Sequence, residues 1–177
     1  GMAEKLAVAD AFFGGGHEHG LRPGTLPVAL IVGFGRAVEI AVAEREVEAA
    51  RLVALRERML ERLRDALAGV TVNGHPSERL PGNLNLGFDG IEADALLASL
   101  HDVALSTGSA CSSARAEPSH VLVALGLPDA RVRGCVRIGL GRGTTTEQID
   151  VAAERIIAEV RAQRAARSSA PAPASSA

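Results

Sequence analysis

Tryptophan and tyrosine are absent from this chain of 177 residues, and phenylalanine occurs only four times. So few aromatic rings argue against a stacking platform for single-stranded nucleic acid. Neither sign of charge dominates: 19 Lys and Arg face 21 Asp and Glu, a net charge of −2. That balance gives no electrostatic case for nucleic acid or an anionic membrane surface as partner. No uninterrupted apolar run approaches the ~20 residues that span a bilayer. No basic stretch followed by an apolar block marks a signal peptide. The expectation is a cytoplasmic protein with neither membrane nor nucleic acid among its partners. Cysteine is scarce as well: Cys111 and Cys135 make no disulfide framework. Lys5 is the only lysine, and every other basic side chain apart from histidine is an arginine.

What is present is a globular composition, 47% apolar and 23% charged, over a length that suits one domain with tails. Three adjacent glycines (14–16) and Pro23-Gly24 make residues 14–25 a glycine-rich loop. The pattern from about Thr25 to Ala68 is helical, in one piece or in two with a bend at 44–46. Leu52, Leu55, Met59, Leu63 and Leu67 form its apolar stripe. Short strands are expected at Val70–Val72, Leu84–Phe88, Val103–Leu105 and Arg133–Leu140. Helices are expected at Glu92–Leu100 and Ser119–Leu125. Thr145 with Gln148 three residues later reads as a capping box opening the last helix. The Ala-, Ser- and Pro-rich end from 165 reads as a disordered tail. The division is therefore 1–25 as an N-terminal segment and glycine-rich loop, 26–164 as the domain proper, and 165–177 as tail.

Three places could carry chemistry. Cys111 lies in Ser106-Thr107-Gly108-Ser109-Ala110-Cys111-Ser112-Ser113-Ala114, a loop of small residues that gives a thiol access and reach. The same residue also reads as a small buried hydrophobe. Cys135 lies inside a strand pattern and reads as a structural thiol. Arg137 stands opposite a Val136/Ile138/Leu140 face. It is either a solvated strand residue or a carboxylate clamp, a role for which its planar fork is suited. Thr25 opens the long helix, where a hydroxyl either caps the helix or holds a phosphate oxygen. His17 and His19 share a loop without matching Cys or carboxylate spacing, so no metal is expected.

Six separated segments, in order, resemble one family, the pyridoxal-phosphate-dependent cysteine desulfurases of the class V aminotransferase fold. They are the glycine-rich loop 14–27, Leu80-Pro81-Gly82-Asn83-Leu84-Asn85-Leu86-Gly87-Phe88, the thiol loop 106–114, Glu117-Pro118-Ser119-His120-Val121-Leu122, Val136-Arg137-Ile138-Gly139-Leu140-Gly141-Arg142, and Thr145-Thr146-Glu147-Gln148-Ile149-Asp150. The resemblance covers about residues 14–160 and implies an α/β small C-terminal domain. That domain would hold a long helix and a three- to four-stranded mixed sheet with helices on one face. It implies that Cys111 takes the sulfur of substrate L-cysteine as a persulfide, with release of alanine. Arg137 would bind the substrate carboxylate. Thr25 would reach across a homodimer to the phosphate of the pyridoxal 5'-phosphate cofactor. The sulfur would pass to an iron–sulfur scaffold or another acceptor protein.

The family joins its cofactor through a lysine in a Ser/Ala-His-Lys motif, and Met2-Ala3-Glu4-Lys5-Leu6 is not that motif. The large cofactor-binding domain has no counterpart here. The chain is therefore expected to be the C-terminal portion of such an enzyme, inactive until the missing part joins it. Two other readings stand beside this one. One is a selenocysteine lyase or another class V aminotransferase relative. The other is a non-catalytic fragment that only binds partners.

Overall fold

The computed structural model describes residues 14–20, 22–107 and 119–169. The chain divides into two compact units, Gly1–Arg45 and Glu46–Ala177. In the first unit the glycine-rich loop holds a single 3-10 turn, Glu18–Gly20, in which Glu18 and His19 take positive φ. Helix α1 then begins at Val28, one residue past Pro27, whose fixed φ and missing N–H suit a helix start. It continues without a break to Ala66, so the bend expected near 44–46 does not interrupt its hydrogen bonding. Within the first unit its side chains are apolar on several sides at once: Val28, Leu30, Ile31, Val32, Phe34, Val38 and Val42 are all exposed.

The second unit is built on the stripe expected from the sequence. Leu55, Met59, Leu63 and Leu67 are buried at spacings of four. The last helix, α5 (Thr146–Ser169), presents Ile149, Ala153, Ile156 and Val160 to the same core. The two helices run side by side in the same direction. Arg58 pairs with Asp150, Arg62 with Glu154, and Arg161 donates to the Ala66 carbonyl. These ion pairs are open to water and set register more than stability. The capping box forms as read from the sequence: Thr145 N–H donates to Gln148 Oε1 at 3.0 Å, and Gln148 N–H to Thr145 Oγ1 at 3.3 Å. Helix α5 runs to Ser169, past the expected start of the tail at 165. Arg164 and Arg167 reach back from it to Asp89 and Glu92, which gives this turn contacts that composition does not reveal.

Three strands, β1 (Val70–Val72), β2 (Asn83–Phe88) and β3 (Cys135–Gly139), form one sheet in that order. Both pairings are antiparallel, so the sheet is not the mixed one expected. The expected strand at Val103–Leu105 shrinks to an isolated bridge between Ser106 and Arg137. One face of the sheet carries Leu84, Leu86, Val136 and Ile138 into the core with α1, α5 and α2 (Ala93–Ser99). The other face is not bare. Two short helices, α3 (His120–Ala124) and α4 (Asp129–Arg133), bury Leu122 and Val132 against Cys135 there. Helices therefore lie on both faces, contrary to the expectation of one. Arg133 ends α4 instead of opening the strand, and β3 starts two residues later.

Candidate substrate site on the polar face of the sheet

Alternation along β2 and β3 sorts their side chains. Leu84 and Leu86 point to the core, and Asn83, Asn85 and Gly87 to the opposite face. Register then places Asn85 directly across from Arg137, and Gly87 across from Cys135. Gly87 fits closely at its position: a Cβ there would stand 2.9 Å from Thr71 Oγ1 and 3.4 Å from Cys135 Sγ, so the Thr71 side chain would have to shift to admit one. Arg137 is exposed and lines a cavity of about 370 Å³ together with Asn73, His75, Arg79, Asn83 and Asn85. Arg79 is fixed by donating to the carbonyls of His75 (2.8 Å) and Asn73 (2.9 Å). Burial and the nearby Arg56 guanidinium push its pKa down.

Arg137 is tied to the start of the thiol loop. Its N–H donates to the Ser106 carbonyl at 2.6 Å, and Ser106 N–H donates back to the Arg137 carbonyl at 3.2 Å. The Arg137 guanidinium also reaches Ser106 Oγ at 3.4 Å. Cys111 itself lies outside the described residues. Cys135 is free and buried; burial pushes its thiol above the usual range, against smaller opposing contributions from Asn73 and Arg131. Its thiol donates to the Arg131 carbonyl at 3.1 Å. Thr25 belongs to the first unit and is exposed, its carbonyl held by Arg22 Nη1 at 2.9 Å.

Sequence reading singled out Arg137, named Ser106 and Asn85 only as members of their loop and strand, and did not single out Asn73. The Asn83/Asn85 alternation signals a polar strand face. The partners of Asn85 on that face, Asn73 and Arg137, lie 12 and 52 positions away, and no local pattern records them.

Pyridoxal phosphate needs a lysine to hold its aldehyde. The described residues contain none, and Lys5 lies outside them. The donors around Arg137 are guanidinium, amide, imidazole and hydroxyl groups, with no lysine amine among the described residues. The described residues by themselves do not fit that cofactor as a resident group.

Among the described residues no helix is long and apolar enough to cross a membrane. The family model for aminotransferase class V matches residues 2–151. A cysteine desulfurase named IscS from Anaeromyxobacter sp. (strain Fw109-5) is 48% identical over 151 residues, 85% of this chain and 37% of the relative. The human cysteine desulfurase is 44% identical over 151 residues, 85% of this chain and 33% of that protein. Among solved structures, a NifS-like protein superposes with a TM-score of 0.75 at 29% identity, over 89% of this chain and 40% of the other. The chain thus spans about a third of the length of the curated relatives it matches. With the family model matched over residues 2–151 and the fold of the NifS-like protein shared over most of the chain, this chain belongs to the class V aminotransferase family.

Proposed function

We propose that this chain is the carboxylate-binding and sulfur-accepting portion of a cysteine desulfurase that acts on L-cysteine and feeds iron–sulfur cluster assembly or another sulfur-transfer route. Arg137 holds the substrate carboxylate through its two-pronged guanidinium. Cys111 takes the sulfur. The Cβ–S bond of cysteine breaks and an S–S bond to Cys111 forms. The carbon keeps the bonding electrons and gains a proton. The products are a Cys111 persulfide and alanine, and no external oxidant is required. Pyridoxal phosphate is the electron sink such chemistry uses. Its lysine comes from polypeptide outside these residues, with Thr25 meeting the phosphate across a homodimer.

The observation that carries this reading is the pair of backbone hydrogen bonds between Ser106 and Arg137. The residue from which the Cys111 loop departs is a bonded neighbour of the residue assigned to the substrate. The first half of α1 supports the need for a cofactor-bearing part. A helical stretch with apolar side chains on several sides belongs against other protein, yet Leu30, Val32 and Phe34 are 73%, 65% and 72% exposed. The remaining length of the relatives is the natural cover.

The test mixes the purified chain with a polypeptide carrying the cofactor lysine and L-cysteine. A persulfide then forms on Cys111, read as the mass of one added sulfur atom, and Cys111→Ser abolishes it. Without tryptophan or tyrosine this chain absorbs almost nothing in the near ultraviolet, so any cofactor bound to the chain alone would dominate its spectrum. Sulfide release and persulfide formation by the chain alone would overturn the division of labour.

A further inference from the structure

A buried polar network on the second face of the sheet settles which way two amides point. Asn73 is 5% exposed, and its backbone N–H donates to the Asn85 carbonyl at 2.9 Å. Arg131 Nη2 donates to Asn73 Oδ1 at 3.0 Å. A guanidinium has donors and no acceptor, so this contact turns the Asn73 oxygen toward Arg131. The other end of the amide then faces Asn85 and Cys135. Asn73 Nδ2 donates to Asn85 Oδ1 at 2.7 Å and to Cys135 Sγ at 3.0 Å. Cys135 donates its thiol hydrogen bond to the Arg131 carbonyl, which leaves a sulfur lone pair to accept from Asn73.

The orientation passes on to Asn85. With its oxygen held by Asn73, its Nδ2 is the end turned away from the network. Asn85 lines the same cavity as Arg137 and stands opposite it in the register. No acceptor among the described residues engages Asn85 Nδ2. Two donors of one ligand class therefore sit side by side on neighbouring strands, one charged and one neutral. A carboxylate has about four acceptor positions, more than one guanidinium fills.

We propose that Asn85 is a second carboxylate-binding residue beside Arg137, and that Asn73 is the positioning residue that holds its amide donor outward. The assignment rests on the reading of Arg137 given above and names a further part of the same site. It also gives Asn73, Arg131 and Cys135 a shared role, since each fixes a hydrogen-bond direction that ends at Asn85 Nδ2.

The test is a nitrogen-15 NMR titration of the 177-residue chain with L-alanine, the product the proposed reaction leaves, and with L-alaninamide, which lacks the carboxylate. With L-alanine, the Asn85 side-chain amide and Arg137 Nε signals shift on a common saturation curve. L-alaninamide moves neither. Asn85→Asp replaces a donor by a like charge and raises the half-saturating L-alanine concentration about tenfold or more. Asn73→Asp still accepts from Arg131 but can no longer donate, so Asn85 turns its own amide nitrogen inward. In that variant the Arg137 signal still responds and the Asn85 signal does not, with the backbone spectrum checking the fold. If Arg137 responds while wild-type Asn85 does not, or if Asn85→Asp leaves the concentration unchanged, the Asn85 assignment is overturned and the Arg137 reading survives. If neither signal moves, both fall.

Discussion

Two glycines near the ends of β3 make opposite demands on a side chain, although sequence alone does not distinguish them. Gly134 joins α4 to the strand, and its carbonyl accepts the Phe88 N–H at 3.0 Å. A Cβ built on it would lie 2.6 Å from the Phe88 carbonyl oxygen and 3.4 Å from that of Ile91. Both obstacles are backbone, so neither can swing aside. Gly139 closes the same strand, and a Cβ there meets nothing within 4 Å. The strain of forcing an atom into a packed site is ~1–3 kcal/mol. An unobstructed Gly→Ala change within a strand stabilises by ~0.5–1 kcal/mol. At ~2–4 °C per kcal/mol for a domain of this size, Gly134→Ala should lower Tm by roughly 2–12 °C, while Gly139→Ala leaves it unchanged or slightly higher. Far-ultraviolet circular dichroism is the assay, since the chain lacks the tryptophan a fluorescence melt uses. Equal melting temperatures for the two variants would refute the close approach of Gly134 to Phe88. The anchoring of the strand that carries Arg137 would then need another account.

Three further outcomes follow from the same packing. Leu63 is 0% exposed at the α1–α5 contact, so Leu63→Ala should cost ~2–5 kcal/mol in urea unfolding; a cost below that of a surface substitution would show the core is not centred there. The Arg58 guanidinium, by hydrogen bond and by charge, holds the Asp150 carboxyl below the usual aspartate range. A depressed native value means the stability it contributes is complete above the ordinary 3.8 and is lost as pH falls below it. Asp150→Asn should thus lower the midpoint of urea unfolding at neutral pH, and that difference should close in strong acid. Cys135, raised by burial, stays a thiol at neutral pH. Iodoacetamide followed by peptide mass mapping should leave Cys135 unmodified in the native chain and label it on unfolding.

Periodicity made much of this fold legible. The four-residue recurrence of Leu55, Met59, Leu63 and Leu67 can bury one face only as a helix, and the Leu84–Leu86 alternation can bury one face only as a strand. The Thr145–Gln148 capping box was equally local, since both partners lie within one turn. Helix α4 escaped because its five residues hold a single buried side chain, Val132, too few to show a period. The antiparallel sense of the sheet and the halt of the 103–106 strand at one bridge were set by pairing between distant segments. Arg137 was left open by residue type between a solvated strand residue and a carboxylate clamp, and only the resemblance of the segment around it to the family favoured the clamp. That its backbone bonds to Ser106, and that Asn73 aims the amide of Asn85 into the same cavity, were decided by tertiary structure alone. A hydrogen bond has a direction, and which end of an amide meets which partner depends on groups that the chain brings together only when it folds.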